Sequence, residues 1–172
     1  MSADTFTSAM FLITAILAAG VLINATFPVV YNMAGTFSSA SHESDERIRT
    51  DFKIITTFAT TTQSPRYAMV WIKNIGSSRV PWTDLKRSDV FCGSLDNFEH
   101  LSYSDSPTTS GQWGIDFTYP SYDLNNNGYW DPGETAEIYA ITNTIPTSSG
   151  EYVYFQFSIP NGVWRSTEFA AR

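Results

Sequence analysis

The pattern of hydrophobic positions divides the chain into an apolar N-terminal segment and a longer segment of alternating residues. No charged side chain lies between Asp4 and His42, and residues 9–30 form an almost continuous apolar run. A helix needs about 20 such residues to cross the hydrocarbon core of a bilayer. The run has no basic residues before it and is too long for the hydrophobic region of a cleaved signal peptide. We therefore expect an uncleaved transmembrane helix.

Polar and small residues inside this helix modify the prediction. Asn24 and Pro28 lie within the apolar run, and a proline that removes a helical hydrogen bond predicts a bend in the last third of the span. Ala15, Ala19 and Gly20 would allow a second helix to approach closely, although small residues are also simply frequent in such helices. The polar residues 36–49 can continue the helix as a stalk, so residues 1–50 form the first predicted domain.

From Asp51 onward, apolar and polar residues alternate with a period of two, which is typical of β-strands. The first run places Phe52, Ile54, Thr56 and Phe58 on one face, and the clearest run places Val153, Phe155, Phe157 and Ile159 toward a core. The predicted strands are residues 51–58, 66–74, 89–93, 98–103, 115–119, 135–142, 151–159 and 163–169. Gly, Pro, Asn and Ser clusters separate them. Residues 51–172 are thus predicted to form an all-β, immunoglobulin-like β-sandwich.

Four aromatic residues fall on the outward positions of these strands: Tyr67, Trp71, Tyr152 and Tyr154. Aromatic side chains recur at protein interaction surfaces, so they are candidates for a partner interface. Packing along the sheet surface is the alternative explanation for them.

Composition and charge exclude several classes of function. The chain carries 17 acidic and 10 basic residues, for a net charge of -7, whereas nucleic-acid binding requires clustered Lys and Arg. The single cysteine, Cys92, lies in an apolar run and is expected to be buried, without a disulfide partner in its own chain. No nucleophile or phosphate-binding motif is present, and no catalytic residue is predicted.

One loop carries a specific chemical pattern. Residues 123–134 place oxygen ligands at positions 1, 3, 5, 7, 9 and 12 of a twelve-residue loop, with glycine at position 6, as in an EF-hand calcium loop. The ligands would be Asp123, Asn125, Asn127, the Tyr129 carbonyl, Asp131 and Glu134. Pro132 and Gly133 prevent an exiting helix, so Ca²⁺ would bind between β elements, or the loop is an Asn-Gly turn that opens a strand.

Two short segments carry a resemblance to a known family. The apolar helix is followed by Arg-Thr-Asp-Phe-Lys-Ile-Ile at 49–55 and by Val-Trp-Ile-Lys-Asn-Ile-Gly at 70–76. This order of parts resembles the archaellum accessory (stator) protein family of FlaG, and the related FlaF and archaellin families share its helix-plus-sandwich plan.

The resemblance implies a non-enzymatic component of archaeal motility. Its cytoplasmic N-terminus and membrane helix would carry a sandwich beneath the surface layer, where the sandwich would anchor the rotary motor. The expected partners are further copies of the chain, a sister archaellum component or an S-layer protein. The alternative is a structural subunit of an extracellular filament, archaellin-like or type IV pilin-like, which polymerises through the N-terminal helix.

Overall fold

The computed structural model describes residues 2–116, 123, 125 and 127–172, which form two compact units, Met1–Ser44 and Asp45–Arg172. Helix α1 spans Ser2–Arg49 and supplies the whole first unit and the first residues of the second. The helix continues through Pro28 without interruption and through the polar residues after Thr36. The predicted helix and its helical stalk are therefore confirmed.

The apolar side chains of α1 cover all sides of the helix. Every large apolar side chain from Phe6 to Phe37 is at least 51% exposed, and the consecutive residues Met10, Phe11, Leu12 and Ile13 necessarily point in different directions. A helix that packs one face on a soluble core has a polar opposite face, whereas one that is apolar all round belongs in a membrane or among other helices. By length and composition, α1 is long and apolar enough to cross a membrane.

Among the described residues, the second unit is a β-sandwich with ten strands and one short helix. The strands are β1 (Phe52–Ala59), β2 (Tyr67–Asn74), β3 (Val80–Pro81), β4 (Asp89–Ser94), β5 (Asn97–Tyr103), β6 (Gln112–Asp116), β7 (Tyr129–Trp130), β8 (Thr135–Ile141), β9 (Tyr152–Ser158) and β10 (Trp164–Ala170), and helix α2 is Trp82–Leu85. The predicted helix followed by a β-sandwich is confirmed, and all eight predicted strands are present. Residues 117–119 of the fifth predicted strand lie outside the described residues.

The sheet has the strand order β1-β2-β8-β6-β5-β4-β9-β10. Its two layers, β1-β2-β8-β6 and β5-β4-β9-β10, are joined by a short parallel pairing of Ser102 and Tyr103 with Gln112 and Trp113. The other neighbouring strands pair antiparallel. Strands β3 and β7, which the sequence pattern did not predict, form a separate two-stranded ribbon that places Trp130 opposite Val80.

Aromatic side chains fill the space between the layers. The Phe157 ring of β9 meets the Phe52 ring of β1 and the Trp113 ring of β6 nearly edge-on, at centroid distances of 5.5 and 5.9 Å. Trp130 packs beside Phe52 at 6.2 Å. These four side chains are fully buried. The predicted inward positions of β9, Val153, Phe155, Phe157 and Ile159, are likewise buried, as expected.

The prediction that Phe52, Ile54, Thr56 and Phe58 share one face of β1 is wrong beyond Ile54. A bulge shifts the register with β2 between Ile54 and Thr56. One extra residue reverses the side-chain alternation, so Phe52 and Ala59 are both buried although an odd number of positions separates them. Phe58, predicted to share a face with Phe52, is only half-buried, and Ala59 takes the buried position instead.

Cys92 offers a test of how tightly this core closes. The side chain is fully buried, and burial is the main cause that raises the pKa of its thiol to about 12. The raised pKa keeps the thiol neutral below that pH, so the folded protein should resist thiol reagents at about pH 8 and react within minutes once unfolded. Absorbance-monitored labelling with and without denaturant measures this. Rapid labelling of the folded protein would contradict the closed core.

Candidate functional site

Asn74 forms a polar joint at the point where α1 enters the sandwich. Its side chain is 1% exposed, and its amide nitrogen donates to the carbonyl oxygens of Ser78 and Trp130, both at 3.0 Å. The amide oxygen accepts the backbone N–H of Gly76 at 3.0 Å. The Asn74 backbone N–H donates to the Glu134 carbonyl, and its carbonyl accepts from the Gly133 N–H. Each polar group of this buried residue is therefore hydrogen-bonded.

The turn that follows Asn74 completes the C-terminus of α1. The backbone N–H groups of Ser77 and Ser78 donate to the Arg49 carbonyl at 2.9 and 3.1 Å, and those of Ile75 and Gly76 donate to the Asp51 carbonyl. The last carbonyls of a helix lack partners within the helix, and this turn supplies donors for the last of them, that of Arg49. A Cβ on Gly76 would lie 2.4 Å from the Arg49 oxygen, which explains the glycine there.

Replacing Asn74 with Ala tests the importance of this joint. The substitution removes the amide donor of the Ser78 and Trp130 carbonyls, while the Gly76 N–H keeps its bond to the Asp51 carbonyl. Each buried group left unsatisfied costs about 1–3 kcal/mol. We expect a loss of about 2–4 kcal/mol in the free energy of unfolding, measured by urea denaturation. Asn143→Ala, at an exposed position, is the matched control and should change stability by less than about 0.5 kcal/mol. Equal effects of the two changes would show that the joint is dispensable.

The predicted calcium loop lies next to this joint. The Asp123 carboxylate accepts the backbone N–H groups of Asn127 and Gly128 at 3.2 and 3.1 Å. The side-chain amides of Asn125 and Asn127 both donate to Asp131 Oδ2, at 2.8 and 2.7 Å. Glu134 is nearly buried, and its carboxylate accepts the Asp131 backbone N–H at 2.8 Å. The predicted ligands for which contacts are described therefore lie in one connected network.

This network fits calcium only after a rearrangement. Ca²⁺ requires several oxygen atoms around one point, whereas the Asn125 and Asn127 amides present nitrogen to Asp131 and use their oxygens to accept backbone N–H groups. Within the part of the chain that the structure describes, no three His, Cys, Asp or Glu side chains group as a metal site. Both amides would have to turn before their oxygens could face a cation beside Asp131. The calcium site stays a prediction.

Chelation of the full-length protein tests the calcium prediction. Extracellular calcium modules bind with dissociation constants of about 0.1–1 mM, so about 10 mM Ca²⁺ would add about 1.4–2.7 kcal/mol if only the folded state binds. This corresponds to a rise in melting temperature of about 3–10 °C relative to a chelator-treated sample. Asp131→Asn should abolish the rise, and Mg²⁺ at the same concentration should not reproduce it. An unchanged melting temperature, with no calorimetric heat on adding calcium, would exclude the site.

The four predicted interface aromatics lie on two different layers. Tyr67 and Trp71 are on β2, whereas Tyr152 and Tyr154 are on β9, so the structure does not bring them into one surface. Tyr67 packs against Tyr139 at a centroid distance of 4.9 Å, and Tyr154 packs against Phe98 at the same distance. Partial burial, with a further contribution from Tyr67, raises the pKa of Tyr139. Each layer therefore carries its own outward aromatic cluster, and a role for either in binding stays a prediction.

The predicted helix-packing residues are open to a neighbour. Ala15, Ala19 and Gly20 are exposed on α1. Apart from the neighbouring backbone of the helix itself, no heavy atom lies within 4 Å of the position that a Cβ would take at Gly20. Hydroxyl groups nearby are satisfied within the helix, since Thr14 Oγ1 donates to the Met10 and Phe11 carbonyls at 3.0 and 2.9 Å and Thr26 Oγ1 donates to the Leu22 carbonyl.

Asn24 is a polar residue within the apolar segment of α1. From the sequence it was expected to be tolerated in the helix, and no function was predicted for it. Among the described residues, its side-chain amide has no hydrogen-bond partner. Pro28, four residues later, has no N–H to donate to the Asn24 carbonyl. One residue of the apolar segment thus has a side-chain amide without a partner among the described residues and a carbonyl that cannot accept the usual i+4 helical bond.

Comparison with known proteins shows that this chain is similar in sequence to others along nearly its whole length. The sequence model of the family described as archaeal-type flagellin matches residues 8–169. An uncharacterized protein of Archaeoglobus fulgidus is 26% identical over 171 residues, and the match covers 99% of each chain.

Two solved structures share the fold. One is the archaellum periplasmic stator complex of FlaF and FlaG from Sulfolobus acidocaldarius, with a TM-score of 0.51 and 23% identity over 69% of this chain and 87% of that chain. The other is the archaeal flagellum of Methanospirillum hungatei, with a TM-score of 0.63 and 13% identity over 95% of this chain and 90% of that chain.

Proposed function

Because this chain belongs to the archaeal-type flagellin family, we propose that it is a non-enzymatic archaellum subunit whose α1 packs against α1 of other copies in a filament. The resemblance to archaellum proteins inferred from the sequence is confirmed at the level of the family. Its assignment to the filament, in preference to the motor anchor, is the proposal.

The unpartnered polar groups of Asn24 carry this proposal. A side-chain amide and a backbone carbonyl left without hydrogen bonds in hydrocarbon cost several kcal/mol in total. Neighbouring helices can supply both a donor and an acceptor at that depth, whereas lipid tails supply neither. An isolated membrane anchor gains nothing from Asn24, but a bundle of identical helices can pair the amides with one another.

The apolar side chains around the whole circumference of α1 fit a filament core, and they equally fit a lipid environment. A single packed pair of helices would bury one stripe, whereas the exposed apolar residues between Phe6 and Phe37 surround the axis. A filament core surrounds each helix with several neighbours and so buries all sides. Ala15, Ala19 and Gly20 would then mark the positions of closest approach. The aromatic clusters around Tyr67 with Trp71 and around Tyr152 with Tyr154 would be available for contacts between sandwich domains.

A motor-anchoring function is the second candidate. The sandwich shares its fold with the FlaF–FlaG stator complex, and α1 has the length and composition of a membrane span. In this case the sandwich would bind a sister subunit or a surface-layer protein outside the cytoplasm. Electron microscopy of purified full-length protein separates the two functions, because a filament subunit forms long ordered fibres after detergent removal and an anchor forms small complexes.

Substitution of Asn24 tests the basis of the filament proposal. Interhelical hydrogen bonds in membranes contribute about 0.6 kcal/mol on average and up to about 1.7 kcal/mol. Asn24→Leu should therefore raise the concentration at which half the protein sediments as fibres by about 3- to 20-fold. Thr14→Val is the matched control, because that hydroxyl bonds to its own helix, and it should leave the midpoint unchanged. Unaltered assembly of the Asn24 variant would contradict the proposed helix packing.

A further inference from the structure

We infer that the groove lined by Arg47, Trp164 and Arg165 is the docking site for the acidic stalk of a second copy of this chain. The acidic stalk is the segment of α1 that carries Glu43, Asp45 and Glu46. The groove lies within the second unit, where the last turn of α1 meets the turn between β9 and β10, and has a volume of about 620 Å³. This inference rests on the proposed self-assembly but concerns a different part of the chain from the apolar helix.

Arg47 gives the groove its charge. Among the residues that the structure describes, it forms no ion pair, although the chain carries a net charge of -7. Its guanidinium lies against the backbone of Gly162, and a Cβ there would be 2.7 Å from Arg47 Nη2. The turn that presents Gly162 is fixed by the Gly162 N–H donating to the Ile159 carbonyl and by the Val163 N–H donating to Asn161 Oδ1. Arg47 is therefore positioned by a turn rather than by a carboxylate.

Arg165 holds the opposite side of the groove. Its guanidinium bridges to the Asp51 carboxylate at 2.5 Å and donates to the Trp164 carbonyl at 2.8 Å. Asp51 neutralises Arg165, so the positive charge that remains in the groove is that of Arg47. Beside the two arginines, Trp164 is 53% exposed and Ile48 is 83% exposed. Exposed Trp and Arg side chains in one concave surface are the combination that carries most binding energy at protein interfaces.

The acidic stalk has a charge complementary to that of the groove, and it lies about one helical turn along α1 from Arg47. Glu43, Asp45 and Glu46 place three carboxylates within four residues, the densest acidic run in the chain. Asp45 pairs with Arg49 at 3.4 Å, but Glu43 and Glu46 form no ion pair in the described part of the chain. Glu43 precedes Arg47 by one helical turn, a rise of about 6 Å. When α1 helices lie side by side with a small stagger, the stalk of one copy reaches the groove of the next.

The contact joins two different surfaces and is therefore heterologous, so it propagates from copy to copy and does not close a symmetric dimer. It also predicts salt dependence, because exposed charge pairs are screened as ionic strength rises. The apolar contacts of α1 have no such dependence.

Charge reversal and cross-linking of the full-length protein test the inference. Arg47→Glu should raise the assembly midpoint about tenfold at low ionic strength, and adding Glu43→Arg and Glu46→Arg to the same chain should restore it. Arg87→Glu, at an exposed arginine outside the groove, should have no effect. Circular dichroism checks that every variant is folded.

The cross-link locates the contact. Equal amounts of ¹⁴N- and ¹⁵N-labelled Arg47→Lys protein are assembled, treated with a carbodiimide that joins amines to carboxylates, and digested for mass spectrometry. Mixed light–heavy peptides joining position 47 to Glu43 or Glu46 are expected. Links confined to one isotope would reveal a contact within one chain and overturn the inference. Assembly that is insensitive to Arg47→Glu would overturn it while leaving the proposed function intact, whereas failure of the unmodified chain to self-associate would overturn both.

Discussion

The hydrogen bonds of Asn74 are the constraint on which the connection between helix and sandwich depends. In this chain the Arg49 carbonyl at the end of α1 accepts hydrogen bonds from the turn after Asn74, and Asn74 fastens that turn to the segment from Trp130 to Glu134. Residues about 80 positions apart in sequence are thereby held in one buried network, which is more expensive to break than exposed contacts.

This joint places the candidate features of the second unit around one end of α1. The loop from Asp123 to Glu134 reaches Asn74 through Trp130, whose indole N–H donates to the Glu134 carbonyl at 3.0 Å. The groove of Arg47 and Arg165 lies beside Asp51, whose carbonyl accepts from the same turn. Both features therefore lie within a few hydrogen bonds of the end of α1, while the aromatic clusters on the outer faces of the layers are separate from it.

The sequence predicted α1 from its continuous apolar run and the eight longer strands from the alternation of apolar and polar residues. Both patterns are set by the residue types of the segment itself. The alternation failed at Ile54–Thr56, where every residue from Phe52 to Phe58 suits a strand and nothing local marks the bulge. Strands β3 and β7 have two residues each, too few to show a period. The four outward aromatics were correctly recognised as outward, but their division between two layers depends on strand order, which no local pattern encodes. Asn74 reads as an ordinary strand end, since its partners are distant in sequence.

The bulge in β1 has a consequence for the edge of the eight-stranded sheet. Strand β1 lies at one edge of the eight-stranded sheet, and regular edge strands invite backbone pairing with any neighbouring chain at high local concentration. By twisting and interrupting the edge at Ile54–Thr56, the bulge disfavours continuous cross-β growth between sandwiches. The irregular residues that disrupt the burial alternation of β1 therefore also make its edge a poorer template for backbone pairing with another chain.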